Sequence, residues 1–337
     1  MNPSPPLITE SGDRRRRGMT LVELLVVTGL LAMFLGLVVT GIRGSRQTQR
    51  RGAETLAAVL AAAQARALNL PEGAAAILAS GSAATPASCT SLFDAVMLPL
   101  IEATVSGSLP SNATSAAVTV TPTNGDDVSR AYRILLYGGP TAPTVSPATS
   151  WLAFDGSSST VLFRTATGQT VANTVWPKPP AGGTFDALLA QYPAKSSAVV
   201  ELDDASAVDL RYSGVGEDSS SPYFQFAGDG AIAIAFNRMG RVGEVMQQVP
   251  DPGTAAPAGA PQPVVPSSPI YFLVASRSDV ETGQNTLGTA ESTWVAVSPQ
   301  SGRIFIAENV PQADISSLSS ALWAARDKAR KGITVGK

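Results

Sequence analysis

The feature that most constrains this chain is an apolar run, residues 21–42, that follows four consecutive arginines at 14–17. At a rise of 1.5 Å per residue, a helix over this run is about 33 Å long, which is enough to span the hydrocarbon core of a bilayer. Between Met19 and Ile42, Glu23 is the only ionisable side chain. A carboxylate at the centre of a lipid-length helix costs roughly 2.5–3.5 kcal/mol, and less near the interface, so its presence indicates a partner.

The segment at the start of this run, Gly18-Met19-Thr20-Leu21-Val22-Glu23, resembles the cleavage and methylation motif of type IV prepilins and type II secretion pseudopilins. In that family a prepilin peptidase cuts after the glycine and methylates the new N-terminal amine. The resemblance therefore implies cleavage after Gly18 and methylation of Met19. The family most often has phenylalanine at the first mature position, so Met19 departs from the pattern.

The family also has a glutamate at the fifth mature position, which Glu23 matches. The resemblance implies that this carboxylate pairs with the N-terminal amine of a neighbouring subunit and sets the axial register of a fibre. The alternatives are a carboxylate that reaches the lipid headgroups, or an ordinary signal anchor or signal peptide. A secretory signal peptide has a shorter apolar core with a small-residue cleavage site after it, whereas here the glycine comes first.

The sequence predicts three parts: a leader peptide at 1–18, an N-terminal pilin helix at 19–70 with a transmembrane segment at 21–42, and a globular head at 71–337. No proline occurs in the predicted helix, so the helix can continue beyond the membrane. Its second half has apolar residues at three- and four-residue steps, which predicts one buried stripe. That stripe comprises Leu56, Val59, Leu60, Ala63, Ala67 and the neighbouring Leu68.

Beyond about residue 115, short apolar or alternating runs are separated by clusters of Gly, Pro, Ser and Asn, which predicts a β-rich head. The predicted fold class is therefore α+β and pilin-like, with the long N-terminal helix packed on an antiparallel head. The predicted strands are 118–120, 132–137, 151–154, 161–163, 198–202, 207–212, 223–226, 231–236, 270–274, 294–297 and 304–306.

The remaining segments of the head are predicted from their composition. Residues 72–91 are rich in Ala and Ser and are predicted to form a loop, and residues 92–103 a short helix interrupted by Pro99. The Pro-, Ala- and Gly-rich residues 249–269 are predicted to form a surface loop, with a domain boundary as the alternative. The apolar spacing over 314–331 predicts a C-terminal helix.

Two strand-turn segments add a second, weaker resemblance. In each, a glycine is followed by an arginine and a β-branched residue, at Gly240-Arg241-Val242 and at Gly302-Arg303-Ile304. These segments resemble C-terminal elements of the H-type minor pseudopilins and FimT-like pilins. The long head and single cysteine also resemble the prepilin-like members of the Verru-Chthon cassette families.

The residue types present exclude much catalytic chemistry. The chain has no histidine and one cysteine, Cys89, so Ser-His-Asp and Cys-His pairs, histidine-ligated zinc and disulfides within the chain are excluded. Asp126-Asp127 and Asp203-Asp204 can offer oxygen ligands to calcium, but acidic pairs in loops are more often solvated. We therefore predict no enzymatic activity, no cofactor and no metal.

The predicted function is that of a prepilin-like structural subunit of a type II secretion pseudopilus or a type IV pilus-like fibre, and the large head favours a minor subunit. The predicted partners are prepilin peptidase, other pilin or pseudopilin subunits, and the inner membrane with its assembly platform. The predicted location is the inner membrane, crossed once, with the head in the periplasm or on an extracellular fibre.

The alternative function is a membrane-anchored, pilin-like binding module for DNA uptake or for an exported substrate. The basic C-terminal residues can contact DNA phosphates, although a basic last turn that complements the helix dipole is the simpler interpretation. These residues are Arg326, Lys328, Arg330, Lys331 and Lys337. The net charge of −2 does not favour nucleic acid as a partner.

Overall fold

The computed structural model describes residues 21–80, 87–109, 112–138, 151–163, 172, 184–196, 199–217, 219, 223–226, 230–250, 263–312 and 317–335. The chain divides into two compact units, residues 1–44 and residues 45–337. In the first unit the backbone is described from residue 21, where it is helical, and side chains are described for Leu25, Val26 and Thr28.

The helices are α1 (Leu21–Ala67), α2 (Arg277–Glu281) and α3 (Leu318–Val335), with a short 3₁₀ helix at Thr286–Gly288. The strands are β1 (Ala74–Ser80), β2 (Ser88–Val96), β3 (Ile101–Gly107), β4 (Ser115–Pro122), β5 (Ala131–Gly138), β6 (Leu152–Asp155), β7 (Thr160–Leu162), β8 (Thr184–Gln191), β9 (Ala194–Lys195), β10 (Val200–Glu201), β11 (Ser206–Val215), β12 (Ala231–Phe236), β13 (Val242–Val249), β14 (Ile270–Ser276), β15 (Thr293–Val297) and β16 (Ile304–Glu308).

The second unit is organised around a ten-stranded antiparallel sheet, the main sheet. Its strand order is β13-β12-β1-β2-β11-β14-β15-β16, and the short strands β9 and β10 also pair with β2. Strand β1 is central, since Ala76 is opposite both Ile234 of β12 and Asp94 of β2. The described part of the chain is therefore α+β, and the prediction of a β-rich antiparallel head is confirmed.

A closed six-stranded barrel is inserted into the main sheet between β2 and β9. Its strand order is β3-β4-β7-β6-β5-β8. Along β3, Ile101, Ala103 and Val105 are buried inside the barrel while Glu102 and Thr104 are exposed, which is the period-two alternation expected of a strand with one apolar face. The barrel has its own hydrophobic core, which includes Phe154, Phe185 and Leu189.

Residues 45–67 of α1 cover one face of the main sheet. The predicted stripe is confirmed for most of its length, because Leu56, Leu60, Ala63 and Ala67 are fully buried against the sheet. The prediction for Leu68 is wrong, because α1 ends at Ala67 and 57% of the Leu68 surface is exposed.

Helix α3 covers part of the opposite face of the main sheet. Along β14, Ile270, Phe272 and Val274 belong to the cluster under α1, while Tyr271 and Leu273 belong to the cluster under α3. A strand covered on both faces needs apolar side chains at every position, and β14 accordingly has the continuous sequence Ile-Tyr-Phe-Leu-Val-Ala. The C-terminal helix predicted at 314–331 is thus confirmed, four residues later at each end.

Two predictions in the first part of the head are wrong. The predicted loop 72–91 contains β1 and the start of β2, and the predicted helix 92–103 is replaced by β2 and β3 with Pro99 between them. The cause is burial within the sheet, since Ala74 and Ala75 are fully buried between β12 and β2. Alanine has no intrinsic preference for strands, so only the tertiary pairing stabilises β1.

Further differences lie later in the head. Strands β8, β9 and β13 were not predicted, and the predicted strand 223–226 is a turn that hydrogen-bonds to the end of β11. In the predicted surface loop 249–269, Val249 ends β13 and Val264 forms a single bridge to Val245, whereas 251–262 lie outside the described residues.

We expect Leu60→Ala to lower the free energy of unfolding by about 2–5 kcal/mol, because it removes a fully buried side chain between α1 and the main sheet. The matched control is Leu68→Ala, which truncates an exposed leucine just after the same helix and should change stability by less than about 0.5 kcal/mol. Urea unfolding of the detergent-solubilised chain, followed by tryptophan fluorescence, measures both. Equal effects of the two substitutions would contradict the packing of α1 described above.

Candidate processing and assembly site

The predicted processing residues, Gly18 and Met19, lie outside the described residues. Glu23, the predicted assembly residue, lies within α1, and only its backbone is described. The predicted leader 1–18 is also outside the described residues. Most of the described side chains of α1 lie at residues 47–67, where the helix packs on the head.

A close backbone approach fixes where α1 lies on the main sheet. At Gly52 a Cβ atom would lie 2.4 Å from Oγ of Ser206 and 3.2 Å from a methyl group of Val274, so any larger residue would push the helix away. The next residue, Ala53, is fully buried. Small residues at this level let the helix contact β11 and β14 directly.

The two strand-turn segments that carry the second resemblance meet beneath the end of α1. Gly240 and Gly302 both have positive φ, of 72° and 66°, and a Cβ atom on Gly302 would lie 1.8 Å from the backbone oxygen of Gly240. The Val242 amide donates a hydrogen bond of 3.0 Å to the Pro299 carbonyl. Glycine is therefore required at Gly302 by conformation and by space together.

Helix α1 is joined to both turns through Gln64. Its Nε2 donates hydrogen bonds of 2.8 Å to the Gly240 carbonyl and 3.4 Å to the Ser301 carbonyl. The sequence analysis did not single out Gln64. The available signal was its spacing, since Gln64 follows the buried Leu60 by four residues and so lies beside the buried stripe.

A second polar contact joins α1 to β2. Arg66 Nη1 forms an ion pair with Asp94 and donates a hydrogen bond of 2.7 Å to Oγ of Ser196. Asp94 lies in β2, and Ser196 directly follows β9, so this arginine links the last turn of α1 to the strands on either side of the barrel insertion. The end of α1 is thus fixed by polar contacts as well as by its apolar stripe.

In each acidic pair that was considered as a source of calcium ligands, one aspartate accepts a hydrogen bond from a residue two positions later in the same turn. The Asp127 carboxylate accepts hydrogen bonds of 2.8 Å from the amide and the hydroxyl of Ser129, and these bonds lower the pKa of Asp127. The Asp203 carboxylate accepts one from the Ala205 amide. Among the residues that the structure describes, no group of three or more Asp, Glu or Cys side chains is placed to hold a metal ion.

One of the basic C-terminal residues has a structural role. Arg326 is completely buried, donates hydrogen bonds to the carbonyls of Gly216 and Tyr212 at 2.8 and 2.7 Å, and lies 4.9 Å from the ring centre of Phe224. Burial lowers the pKa of its guanidinium to about 9. Arg326 therefore fixes α3 to the end of β11 and is inaccessible to a DNA phosphate. Lys337 lies outside the described residues.

The single cysteine is a buried residue of β2. Cys89 is fully buried in the cluster under α1, and burial raises the pKa of its thiol to about 12. Its reactive thiolate form is therefore scarce at neutral pH.

A comparison with known protein families gives a match in the N-terminal segment. Residues 13–39 match the family described as the prokaryotic N-terminal methylation motif. The chain carries the signature of type IV prepilins and pseudopilins. The matched segment contains Gly18, Met19 and Glu23. No curated protein and no solved structure matches the chain.

The methylation motif indicates the broad class of this protein. It points to a structural subunit rather than an enzyme, to processing by prepilin peptidase and to assembly with other pilins. It also suggests that the N-terminus anchors the chain in a membrane. Within the described ranges, no helix meets the length and hydropathy needed for a membrane span.

We expect Gly302→Ala to destabilise the head strongly, because its Cβ would collide with a backbone oxygen in addition to the strain of a positive φ. Gly125→Ala is the matched control, since Gly125 has a φ of 72° but no atom within 4 Å of the added Cβ. Backbone strain alone should cost Gly125→Ala about 1 kcal/mol. Gly302→Ala should cost about 1–3 kcal/mol more. The difference in the urea midpoint tests this, and similar midpoints would contradict the close contact of the two turns.

We expect Cys89 to resist alkylation by iodoacetamide at pH 8 in the folded protein and to react fully in urea, because its thiol is buried with a raised pKa. Mass spectrometry of the intact chain measures the modified fraction. Ser301→Cys provides an exposed thiol as a positive control in the same preparation. Rapid modification of Cys89 in the folded protein would show that β2 is accessible.

Proposed function

We propose that this chain is a prepilin-like structural subunit that is cut after Gly18, methylated on Met19 and assembled into a type II secretion pseudopilus or a type IV pilus-like fibre. The observation that carries the proposal is the match of residues 13–39 to the N-terminal methylation motif. The transmembrane segment 21–42 holds the subunit in the inner membrane before assembly, with the head in the periplasm or on the fibre.

Glu23 is the assembly residue in this proposal. A carboxylate among Leu, Val and Thr side chains must be neutralised, and the N-terminal amine of a neighbouring subunit can do so in the low-dielectric interior of a fibre. Since an ion pair between buried groups is strongly distance-dependent, it fixes the register of the two helices more than it adds raw stability.

The way α1 meets the head supports a structural role. Residues 45–67 are held on the main sheet by a buried apolar stripe, by the close approach at Gly52 and by Gln64. A subunit of a fibre has to transmit force from its helix to its head, and a helix fixed at several levels does so without sliding. The head is large and carries a barrel inserted between β2 and β9. Its size favours a minor subunit, because a bulky head crowds the helical lattice of a fibre.

The second candidate function is display of a binding module for DNA or an exported substrate. The barrel favours it, since strands β3–β8 close around a hydrophobic core of their own. DNA binding by this module would weaken steeply with salt concentration, because phosphate contacts release counterions. If the module binds DNA with an affinity that does not change with salt concentration, or does not bind DNA at all, DNA is excluded as its ligand.

The experiment that tests the proposed function is N-terminal peptide and intact-mass analysis of the protein from its native membrane, with and without prepilin peptidase. The expected product begins with N-methylated Met19 and appears only when the peptidase is present. A chain that retains the arginines 14–17, or that is cut beyond residue 32, overturns the proposal.

We expect Glu23→Ala to be processed and inserted in the membrane normally but to be lost from the fibre fraction, because the N-terminal amine of its neighbour then has no counter-charge. Glu23→Asp is the control that keeps the charge and shortens the side chain, and it should retain part of the incorporation. Immunoblots of the membrane and sheared-fibre fractions measure both. Normal incorporation of Glu23→Ala would remove the assembly role from this residue.

A further inference from the structure

The connection between β4 and β5 crosses one end of the barrel, because β7 and β6 lie between these two strands in the barrel order. We call residues 123–130 the β4–β5 connection. Its ends are held by hydrogen bonds: the Thr123 amide donates one of 2.9 Å to a carbonyl of β3, and the Asp127 carboxylate accepts two of 2.8 Å from Ser129. Between these contacts, residues 124–126 are exposed.

The exposed part of the connection contains the only asparagine in the chain that is followed by glycine, Asn124-Gly125. Gly125 has a φ of 72°, and no atom lies within 4 Å of the place where its Cβ would be. Its amide donates one long hydrogen bond, of 3.5 Å, to the Pro122 carbonyl. Within the described part of the chain, the Asn124 side chain has no hydrogen-bond partner. Neither group is therefore held firmly by its surroundings.

These are the conditions under which an asparagine side chain reacts with the backbone that follows it. The amide nitrogen of the next residue gives its proton to solvent and attacks Cγ of the asparagine. A C–N bond forms, the side-chain nitrogen leaves as ammonia, and a cyclic succinimide remains. Water then opens the ring at either of its carbonyls, which leaves aspartate or isoaspartate. Glycine favours the attack because no Cβ obstructs it and because its backbone is free to turn.

Other candidates on the barrel lack one of these conditions. Asn112, between β3 and β4, is exposed, but Ala113 follows it and brings a Cβ. Asp155, which would react with loss of water, is followed by Gly156, but the Gly156 amide donates a hydrogen bond of 3.1 Å to the Ala131 carbonyl. A Cβ atom on Gly156 would lie 2.0 Å from a backbone oxygen, so this glycine has no room to turn. The structure thus distinguishes Asn124 from both of these sites.

We propose that Asn124-Gly125 is a self-modification site, at which Asn124 converts to aspartate or isoaspartate with release of ammonia. Water is the only other reactant, so the reaction requires no enzyme. The product places a third carboxylate beside those of Asp126 and Asp127, and that end of the barrel gains one negative charge at neutral pH. The hydrogen bonds at the two ends of the connection do not involve Asn124, so the reaction leaves them in place.

The modification marks the age of a molecule. Because the ammonia is lost to solvent, the acidic form accumulates for as long as the chain exists. A partner that contacts the β4–β5 connection therefore meets a more negative surface on an old molecule than on a new one. The inference is independent of the proposed function, because it requires neither processing after Gly18 nor assembly into a fibre.

Peptide mapping of the aged protein tests the site. The detergent-solubilised full chain is kept at pH 8 and 37 °C for two weeks, and its peptides are analysed by mass spectrometry at intervals. We expect at least about tenfold more conversion at Asn124 than at Asn112, the matched exposed asparagine on the same barrel. Equal conversion at the two asparagines, or none at Asn124, overturns the inference.

Substitutions give a second measurement, by native isoelectric focusing of the fresh and the aged chain. Asn124→Gln should remove most of the acidic form that appears with age, whereas Asn112→Gln should leave it unchanged. Gly125→Ala keeps the asparagine and should slow the appearance of this form by about tenfold, because the added Cβ obstructs the attack while the open space around it still lets the chain fold. An acidic form that appears in Asn124→Gln or in Gly125→Ala as fast as in the original chain overturns the inference.

Discussion

The packing of α1 on the main sheet is the constraint on which the rest of the head depends. Gly52 and Ala53 allow the helix to approach the strands closely, and Leu56 and Leu60 fill the space beyond them. Full burial of one such leucine stabilises the folded state by roughly 2 kcal/mol, so the whole buried stripe holds the helix firmly on the main sheet. Gln64 then joins the end of the helix to two turns that are 62 residues apart in sequence.

Covering the main sheet on both faces explains its composition and its buried charge. Strands β14 and β15 are apolar at nearly every position, because alternate side chains contact α1 and α3. Helix α3 brings Arg326 into this layer, where two carbonyls and aromatic rings surround it. Since removing a partner from a buried cation is costly, Arg326 fixes one position of α3 more than it adds stability.

The barrel has a core of its own, and it also packs on the main sheet through a buried cluster that joins Tyr132 and Ala190 to Ile77 and Met246. Glu244 of β13 accepts a hydrogen bond of 2.9 Å from the hydroxyl of Tyr132 and forms an ion pair with Arg133. Arg133 in turn lies 4.9 Å from the ring centre of Trp151. Since Ala75 and Ile77 of β1 belong to the cluster with the barrel and Ala76 belongs to the cluster under α1, the barrel and α1 cover opposite faces of this part of the main sheet.

The sequence alone determined the features that depend on local order: the methylation motif, the buried stripe of α1, the C-terminal helix and most strands of the head. These follow from periodicity and from contiguous residue types, which act over a few turns or strand positions. Only the tertiary structure decided that the Ala-rich segment 74–80 is a central strand, that strands β3–β8 close into a barrel, and that Gly240, Gly302 and Gln64 meet. Each of these depends on contacts between residues far apart in sequence, and no local preference of the residues involved indicates them.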